Sequence, residues 1–440
     1  MKQVVLLSSI ILLASSWGRT AEFVVVVTVD GLRSSVFSEL TAAQIPNFTR
    51  LRNEGVFTLN ARTDYDWTYT NPNHVSILTA RRVTGQTGHN YTNTGGASAG
   101  TTLHSNRGFY LTSIFDIAHD RGRRTGAFVT KQSQFAVIDA SYTATTGAPD
   151  ATGEDNGRDK IDVYHANNYG SPAIMDLFVS TMSTAPCHLS WVHFADPDDA
   201  GHRFGWSSPN YRAAVIAVDG HLGRMLDLFA TDSRLSGRTT MILTADHGGS
   251  GFDHDSASLP ANYTIPFMAW GAGVPRPGDL YALNYRTRRD PRTFRPVYGV
   301  PAAQPIRNID AGNLALMLLG LPAIPDNGAF VNQAQDLQVG SLVIETVALE
   351  NGGVRLEWSS LGAGYGYRVE RATDLVSNSW TAAPGAWPIT GTSWLDAEPA
   401  EGNRFYRVVA VVTPPSAAAT ESSSTRTGRS VRRSPGKRSR

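Results

Sequence analysis

Cysteine is almost absent from this sequence, since Cys187 is the only one among 440 residues. A single thiol excludes an internal disulfide framework and a thiolate metal cluster. Long apolar runs are also lacking, because no stretch is long enough to span a bilayer with margin, which excludes a polytopic membrane protein. With 18% charged and 41% hydrophobic residues, the chain is neither collagen-like nor wholly disordered. Its length predicts two or three domains of about 150 residues each.

The first 20 residues follow the plan of a secretory signal peptide. Lys2 is followed by an apolar run at residues 4–13 and then by the small residues 14–16. That order is typical of export signals, and the run is shorter than a membrane span. We therefore predict a signal peptide over residues 1–20, cleaved between Ser16 and Ala21, and an exported protein, periplasmic or extracellular.

The other end of the chain is strongly basic. Residues 413–440 are rich in Ser, Ala, Thr and Arg, with almost nothing to bury, which predicts a disordered tail. Its basic residues are Arg426, Arg429, Arg432, Arg433, Lys437, Arg438 and Arg440. The formal net charge of +1 therefore conceals a mildly acidic body and a basic appendage. We predict no specific nucleic-acid partner; the tail could contact an anionic envelope surface or simply keep the protein soluble.

Between these ends, apolar runs alternate with amphipathic stretches. The apolar runs predict strands buried on both faces at residues 24–29, 125–130, 189–194 and 239–245. The amphipathic stretches predict helices at residues 45–54, 111–120, 211–229 and 309–319. This alternation predicts an α/β layered fold with a mostly parallel sheet flanked by helices, within a catalytic domain at residues 21–329.

The sequence changes character from residue 341. Short alternating strands are predicted at residues 354–358, 367–371 and 404–409, with Trp380 and Trp394 between them. They predict a small all-β sandwich over residues 341–412 that resembles a fibronectin type III module, joined by a linker at residues 330–340.

Four separated segments present metal-ligand residue types where a predicted strand gives way to a loop. They contain Asp30; Thr70; Asp198 with His202; and Asp246, His247 and His254. Taken singly, each segment has an ordinary explanation as a turn, a helix cap or a hydrogen-bonded loop. Together they bring carboxylates, imidazoles and a hydroxyl to the edge where parallel strands end, and this combination predicts a metal site.

Phosphoryl chemistry explains the combination. Zinc and similar ions bind imidazole nitrogen and carboxylate oxygen, and two such ions about 4 Å apart can clamp the attacking and leaving oxygens at phosphorus. A threonine hydroxyl bound to one ion becomes a nucleophile near neutral pH without a separate base. If Pro72 begins a helix, free backbone N–H groups around Thr70 also face an anionic substrate.

At these residues the sequence resembles the alkaline phosphatase superfamily, and most closely its nucleotide pyrophosphatase/phosphodiesterase branch. Residues 70–74, Thr-Asn-Pro-Asn-His, are similar to that branch's Thr-Phe-Pro-Asn-His nucleophile motif, with Asn71 in place of the Phe. Residues 198–202 match its Asp-x-x-Gly-His motif, and residues 246–248 match its Asp-His-Gly motif. The resemblance covers residues 23–328 and implies an alkaline-phosphatase-like fold and a hydrolase of small phosphodiester or phosphoanhydride substrates.

The resemblance also implies the roles of individual residues. One metal site is expected from Asp198, His202 and His254, and the other from Asp30, Asp246 and His247, each holding a divalent ion, with Zn²⁺ the first choice. Thr70 is expected to bind one of the ions and to act as the covalent nucleophile. His254 is assigned as the last ligand because no histidine follows it in the sequence.

Two further polar residues have weaker assignments. The branch uses an asparagine downstream of the nucleophile to donate to a phosphate oxygen, and we assign this role to Asn93, with Asn90 as the alternative. Lys131, just past a predicted strand, could contact substrate phosphate, although a solvated lysine is the more common case.

Other activities of the same fold stay open at this point. Sulfatases need an oxidised cysteine or serine in the nucleophile position, and Cys187 lies away from it, so sulfatase activity is not expected. A phosphomonoesterase needs extra positive charge for the second phosphate charge, and no arginine is evident in the corresponding place, which favours diesters. Phosphonate hydrolysis is a further alternative, and a non-catalytic surface-binding protein on a hydrolase scaffold is the alternative from a different class.

Overall fold

The computed structural model describes residues 21–143, 159–168, 170–274, 278–284, 287–298, 304–325, 337–340, 344–358, 365–373, 380–398 and 404–412. The predicted signal peptide and the predicted basic tail lie outside these residues, as does much of the predicted linker. None of the helices in the described ranges is both long enough and apolar enough to cross a membrane.

The strands alternate with helices along the first part of the chain and dominate its end. In chain order the strands are β1 (Phe23–Val29), β2 (Val56–Arg62), β3 (Thr125–Val129), β4 (Val163–Ala166), β5 (Leu189–Phe194), β6 (Thr239–Thr244), β7 (Thr264–Gly271), β8 (Gly278–Asp279), β9 (Ile344–Glu350), β10 (Gly353–Trp358), β11 (Tyr365–Ala372), β12 (Thr381–Ala382), β13 (Ser393–Asp396) and β14 (Phe405–Val412). The helices are α1 (Pro46–Glu54), α2 (Thr70–Thr79), α3 (Leu103–Arg107), α4 (Ile114–His119), α5 (Gln132–Tyr142), α6 (Ser171–Thr184), α7 (Asp196–Phe204), α8 (Pro209–Thr231), α9 (Pro260–Tyr263), α10 (Leu280–Leu283) and α11 (Asp310–Leu318).

The first eight strands form one sheet in the order β4-β3-β5-β1-β6-β7-β2-β8. The strands from β4 to β6 pair in parallel, whereas β7 runs antiparallel to both β6 and β2. Every residue of β1, β5 and β6 is buried, as expected for continuous apolar strands covered by helices on both faces. The predicted α/β class with a mostly parallel sheet is therefore confirmed.

The three central strands bring their carboxyl ends to the same level. Thr28 near the end of β1 is in register with His193 of β5 and with Thr244 of β6. Because the strands are parallel, the loops that follow them leave from one edge of the sheet. This register places the segments after β1, β5 and β6 next to one another.

Two small antiparallel sheets follow, in the orders β13-β10-β9 and β12-β11-β14. They enclose a separate apolar core in which Leu356, Trp358 and Val369 are fully covered. Leu337 and Val339, in the stretch predicted as a linker, instead belong to the large core of the catalytic part of the chain.

Candidate active site

The sheet edge gathers the side chains that the sequence motifs single out. Asp30 directly follows β1, and Asp246 and His247 follow β6. Asp198 and His202 lie one turn apart on α7, which begins after β5. In the described part of the chain, three ligand atoms come within 4.8 Å of one another in each of two groups: Asp30, Asp246 and His247, here called the first set, and Asp198, His202 and His254, the second set.

Local constraints explain why glycine follows Asp30. Gly31 has a φ of +67°, and a Cβ atom there would lie 2.9 Å from the Asp198 Cα atom. Only glycine permits both the left-handed conformation and this close approach. The Gly31 N–H donates to Asp246 Oδ1 at 3.1 Å, so the loops after β1 and β6 are joined directly.

The three histidines of the two sets all bond to a backbone carbonyl through Nδ1. His247 Nδ1 donates to the Gly248 carbonyl at 2.7 Å, His202 Nδ1 to the Phe252 carbonyl at 2.9 Å, and His254 Nδ1 to the Thr68 carbonyl at 2.5 Å. Because a carbonyl oxygen can only accept, Nδ1 carries the hydrogen in each of these bonds, and Nε2, which is unprotonated whenever the ring is neutral, is aimed at the site. Metal-ligating histidines typically have this arrangement.

Two observations indicate that these groups are arranged to bind cations. His202 Nε2 and His254 Nε2 lie 3.1 Å apart, although both are acceptors in the tautomers described above. Asp198 Oδ1 and Asp246 Oδ2 are buried carboxylate oxygens with no hydrogen-bond partner in the described residues. One such oxygen belongs to each set, and leaving it unpaired is costly unless a cation binds there. The residues present therefore fit two metal ions.

The electrostatics of the cluster agree with this fit. Burial raises the pKa of Asp246 well above its usual value, and the neighbouring carboxylates of Asp30 and Asp198 add to the effect. Burial lowers the pKa of His247, and it lowers the pKa of His254 to about 3, so both rings are neutral, as metal ligands must be.

Thr70 begins α2 next to the first set. Its Oγ1 lies 3.3 Å from His247 Nε2 and 3.4 Å from Asp30 Oδ1. The helix begins at Thr70 itself, and Pro72, its third residue, lies in the first turn, where it costs no helical hydrogen bond. All ten residues of α2 are buried, which fixes the hydroxyl in place.

The hydrogen bonds of Asn93 lie within its own loop. Its side chain accepts from the Gly95 N–H at 2.9 Å and donates to the Gly96 carbonyl at 3.2 Å. The buried Asn71, which replaces the family's Phe, donates to the Gly95 carbonyl at 2.8 Å and so holds this loop beside the start of α2. The role of Asn93 as an oxygen-site donor stays a prediction.

The expectation of a solvated Lys131 is wrong. Its side chain is only 5% exposed, and its ammonium lies 2.7 Å from Asp30 Oδ2 and 2.6 Å from Asp198 Oδ2. Sequence reasoning also missed His193, whose Nε2 lies 3.2 Å from Asp30 Oδ2. The available signal was position, since Lys131 follows β3 and His193 lies near the end of β5, at the same sheet edge.

Comparison with known families settles the class of protein. The model of the type I phosphodiesterase / nucleotide pyrophosphatase family matches residues 24–293, which is more than half of the chain. The chain belongs to this family. Membership in the type I phosphodiesterase / nucleotide pyrophosphatase family confirms the resemblance that the three motifs indicated, and both ligand sets lie within the matched residues.

Curated relatives match shorter segments. A 95-residue segment is 30% identical to GPI ethanolamine phosphate transferase 1 of Mus musculus and covers 22% of this chain and 10% of that protein. A 105-residue segment is 30% identical to human ectonucleotide pyrophosphatase/phosphodiesterase family member 7 and covers 23% of each chain. The chain thus spans between a tenth and a quarter of the length of these relatives. Among solved structures, an inactive form of murine ectonucleotide pyrophosphatase/phosphodiesterase 5 in complex with AMP is similar with a TM-score of 0.49 and 16% identity, covering 72% of this chain and 99% of that chain.

Proposed function

We propose that the protein is an exported two-metal hydrolase that cleaves phosphodiester or phosphoanhydride bonds through a covalent phospho-threonine at Thr70. The position of Thr70 Oγ1 carries the proposal, because it lies within 3.4 Å of both His247 Nε2 and Asp30 Oδ1 at the start of a buried helix. Family membership supports the class of reaction. The signal-peptide pattern of residues 1–20 supports export.

The donor atoms favour zinc. Imidazole nitrogens and carboxylate oxygens make up both sets, and zinc binds this mixture readily. Asp30, Asp246 and His247 would hold one ion beside Thr70, and the second set would hold the other. When bound, such ions would lower the pKa of the Thr70 hydroxyl and offset negative charge on the phosphate oxygens.

Thr70 and the start of α2 would supply the groups that contact phosphorus and its oxygens. Thr70 Oγ1 loses its proton and forms a bond to phosphorus while the bond from phosphorus to the leaving oxygen breaks, and the leaving oxygen takes up a proton. The backbone N–H groups of Thr70 and Asn71 at the start of α2 are available to donate to the phosphate oxygens, and we assign the Asn93 amide to the same task. Water then attacks phosphorus, the Thr70 oxygen leaves and regains its proton, and a phosphate monoester is released when the substrate is a diester.

Diesters are the favoured substrates because of charge. A monoester has a second negative charge that requires an additional cation at the substrate. The buried Lys131 is bound to two carboxylates, so its charge is already offset. Phosphomonoesters and phosphonates are therefore expected to react more slowly.

Hydrolysis of two chromogenic esters tests the proposal. The purified protein, lacking the first 20 residues, should hydrolyse bis-p-nitrophenyl phosphate faster than p-nitrophenyl phosphate. A chelator should abolish the activity and added zinc should restore it. An equal or reversed preference would refute the diester assignment. Inactivity with zinc, manganese, iron and cobalt would refute the hydrolase and favour a binding protein on the same scaffold.

Transfer to an alcohol is a second candidate. A 166-residue segment is 26% identical to GPI ethanolamine phosphate transferase 1 of Yarrowia lipolytica, covering 36% of this chain and 17% of that protein. A phospho-threonine can react with an alcohol instead of water. If bis-p-nitrophenyl phosphate turnover in ethanolamine yields the ethanolamine ester, transfer occurs; if p-nitrophenyl phosphate is the only phosphate product, water is the acceptor.

A further inference from the structure

The ammonium of Lys131 occupies a position between the two ligand sets. It lies 2.7 Å from Asp30 Oδ2 in the first set and 2.6 Å from Asp198 Oδ2 in the second. All three side chains are at most 5% exposed, so water screens these ion pairs little. A lysine that follows β3, a strand that supplies no ligand, is therefore in contact with both candidate metal sites.

Lys131 contacts one oxygen of each carboxylate, and the other oxygen faces a ligand set. Asp30 Oδ2 accepts from Lys131 and faces His193 Nε2 at 3.2 Å, whereas Asp30 Oδ1 faces His247 Nε2 at 3.4 Å and Thr70 Oγ1 at 3.4 Å. Only one oxygen of Asp30 is thus directed at the first set and the nucleophile.

The two oxygens of Asp198 differ in the same way. Its Oδ2 accepts from Lys131, whereas its Oδ1 has no hydrogen-bond partner among the described residues and lies 3.4 Å from His202 Nε2 and 3.7 Å from His254 Nε2. In both carboxylates, Oδ2 is held by Lys131 and Oδ1 is the oxygen that faces the candidate metal site.

The backbone of Lys131 is fixed at the sheet edge. The residue follows β3 and pairs with Asn168 in an isolated β-bridge, and the next residue, Gln132, donates its N–H to the Asn167 carbonyl at 2.9 Å. Thr130 Oγ1 contacts His193 Nδ1 at 3.0 Å, which connects this segment to the histidine beside Asp30. The lysine therefore projects from a rigid support.

We propose that Lys131 is a cationic bridge that positions Asp30 and Asp198 and thereby couples metal binding at the two sets. This inference rests on the proposed two-metal function. Lys131 is a positioning residue, because it holds metal-ligating carboxylates and is not assigned to the substrate. It also offsets one of the three buried carboxylate charges before any ion binds, which keeps the cluster compatible with folding.

Zinc binding by substituted proteins tests the bridge. Lys131→Met removes the ammonium and keeps the length of the side chain. Because Lys131 contacts one carboxylate of each set, zinc affinity should fall about 10- to 100-fold at both sites together, the range typical for groups that orient metal ligands. Zinc content is measured by elemental analysis and affinity by competition with a chromogenic chelator, without any substrate.

Lys160 provides a matched control. It is also fully buried, with its ammonium 2.6 Å from Asp120 Oδ1, and it contacts neither ligand set through that pair. Lys160→Met should lower thermal stability and leave both zinc affinities unchanged. If Lys131→Met does not fold, Lys131→Arg keeps the charge but replaces the compact ammonium with a larger planar group, so it should still displace both carboxylates and weaken both sites together.

The outcomes separate the bridge from the two-metal proposal. Wild-type protein that binds two zinc ions, together with a Lys131 variant of unchanged affinity or with weakening at one site only, would overturn the bridge and leave the two-metal site standing. Unchanged zinc affinity with weaker inhibition by inorganic phosphate would instead assign Lys131 to the substrate. Wild-type protein that binds no zinc would overturn the two-metal proposal itself.

Discussion

A threonine hydroxyl is a weak nucleophile, so the surroundings of Thr70 matter more than its residue type. Its Oγ1 faces a neutral imidazole nitrogen and a carboxylate oxygen of the first set. His74, one turn further along α2, donates from Nδ1 to the Thr70 carbonyl at 2.8 Å. The hydroxyl is thus fixed by the helix and faces the atoms that would hold a cation.

Replacing the nucleophile should separate chemistry from metal binding. Thr70→Ala is expected to lower kcat for bis-p-nitrophenyl phosphate by at least about 1,000-fold, because it removes the atom that attacks phosphorus. Zinc content should remain at the wild-type value. Thr79→Ala is the control, since this buried threonine at the other end of α2 bonds only to the Val75 carbonyl among the contacts described. Full activity in the Thr70 variant would contradict the assignment.

The spacing of the sequence predicts most directly those site residues whose partners are adjacent in a motif. Asp246 and His247 are neighbours, and Asp198 and His202 are one helical turn apart, so the spacing itself indicates a shared site. Lys131 was assigned wrongly because its partner Asp198 lies 67 positions away, and a lysine after a strand looks the same whether it is solvated or buried. Only the order of the strands in the sheet decides between these environments.

At the scale of elements, α7 depends on a buried tryptophan. Trp206 is fully buried and donates from Nε1 to the Gly31 carbonyl at 2.9 Å. A Cβ atom on Gly201 would lie 2.5 Å from its ring, and one on Gly249 would lie 2.0 Å away. Gly201 in the Asp-x-x-Gly-His motif and Gly249 directly after the Asp-His-Gly motif are therefore required by the same indole, which fixes α7 against the loops after β1 and β6.

Adding one methyl group to α7 should disturb the second set. Gly201→Ala would push the helix away from Trp206 and displace Asp198 and His202, and displacements near 1 Å can cost about 100-fold in rate. We expect weaker zinc binding at the second set and a loss of activity of this order. Gly220→Ala in α8 is the matched control, because its added Cβ would meet nothing within 4 Å. The control should raise stability by about 0.5–1 kcal/mol and leave activity unchanged.

The element boundaries show where local sequence signals were sufficient. The strand predicted at residues 189–194 is β5 itself, and α2 begins at the threonine of the Thr-x-Pro motif. The sequence of the stretch predicted as a linker does not indicate burial, because Leu337 and Val339 are two apolar residues in a described segment without helix or strand. Their burial depends on the tertiary core that receives them, and no periodicity reports that.

At the scale of the whole molecule, buried neutral histidines make folding dependent on pH. His89 is fully buried, its Nε2 lies 3.1 Å from the Pro72 carbonyl, and its Nδ1 accepts from the Tyr91 N–H at 3.0 Å. Burial lowers its pKa to about 3, against an ordinary value of 6.5. Between these values the unfolded chain binds a proton that the folded protein does not, so folding stability falls as pH falls below 6.5.

Replacing His89 with a residue that does not titrate should flatten the pH dependence of folding stability. His89→Gln is expected to be less stable at pH 7.5, because it loses packing. From about pH 6 to pH 4, however, its free energy of unfolding should decline less steeply than that of the wild type, by up to about 1.4 kcal/mol per pH unit. Urea denaturation at several pH values measures both slopes. Parallel curves throughout this range would show that His89 titrates normally in the folded protein.

The two apolar cores predict where the chain can be truncated without loss of the active site. The large core includes Leu337 and Val339, whereas the small core begins with the strands of the two antiparallel sheets. A chain ending at Gly340 keeps the large core and both ligand sets, so it should hydrolyse bis-p-nitrophenyl phosphate with a kcat/KM within about twofold of the full chain.

A chain ending at residue 336 loses two buried side chains, which should cost about 2–5 kcal/mol for the leucine alone. Thermal melts and activity of the two truncated chains measure this difference. Equal melting temperatures would show that residues 337–340 belong to the linker, and inactivity of the longer chain would show that the sandwich supports the active site.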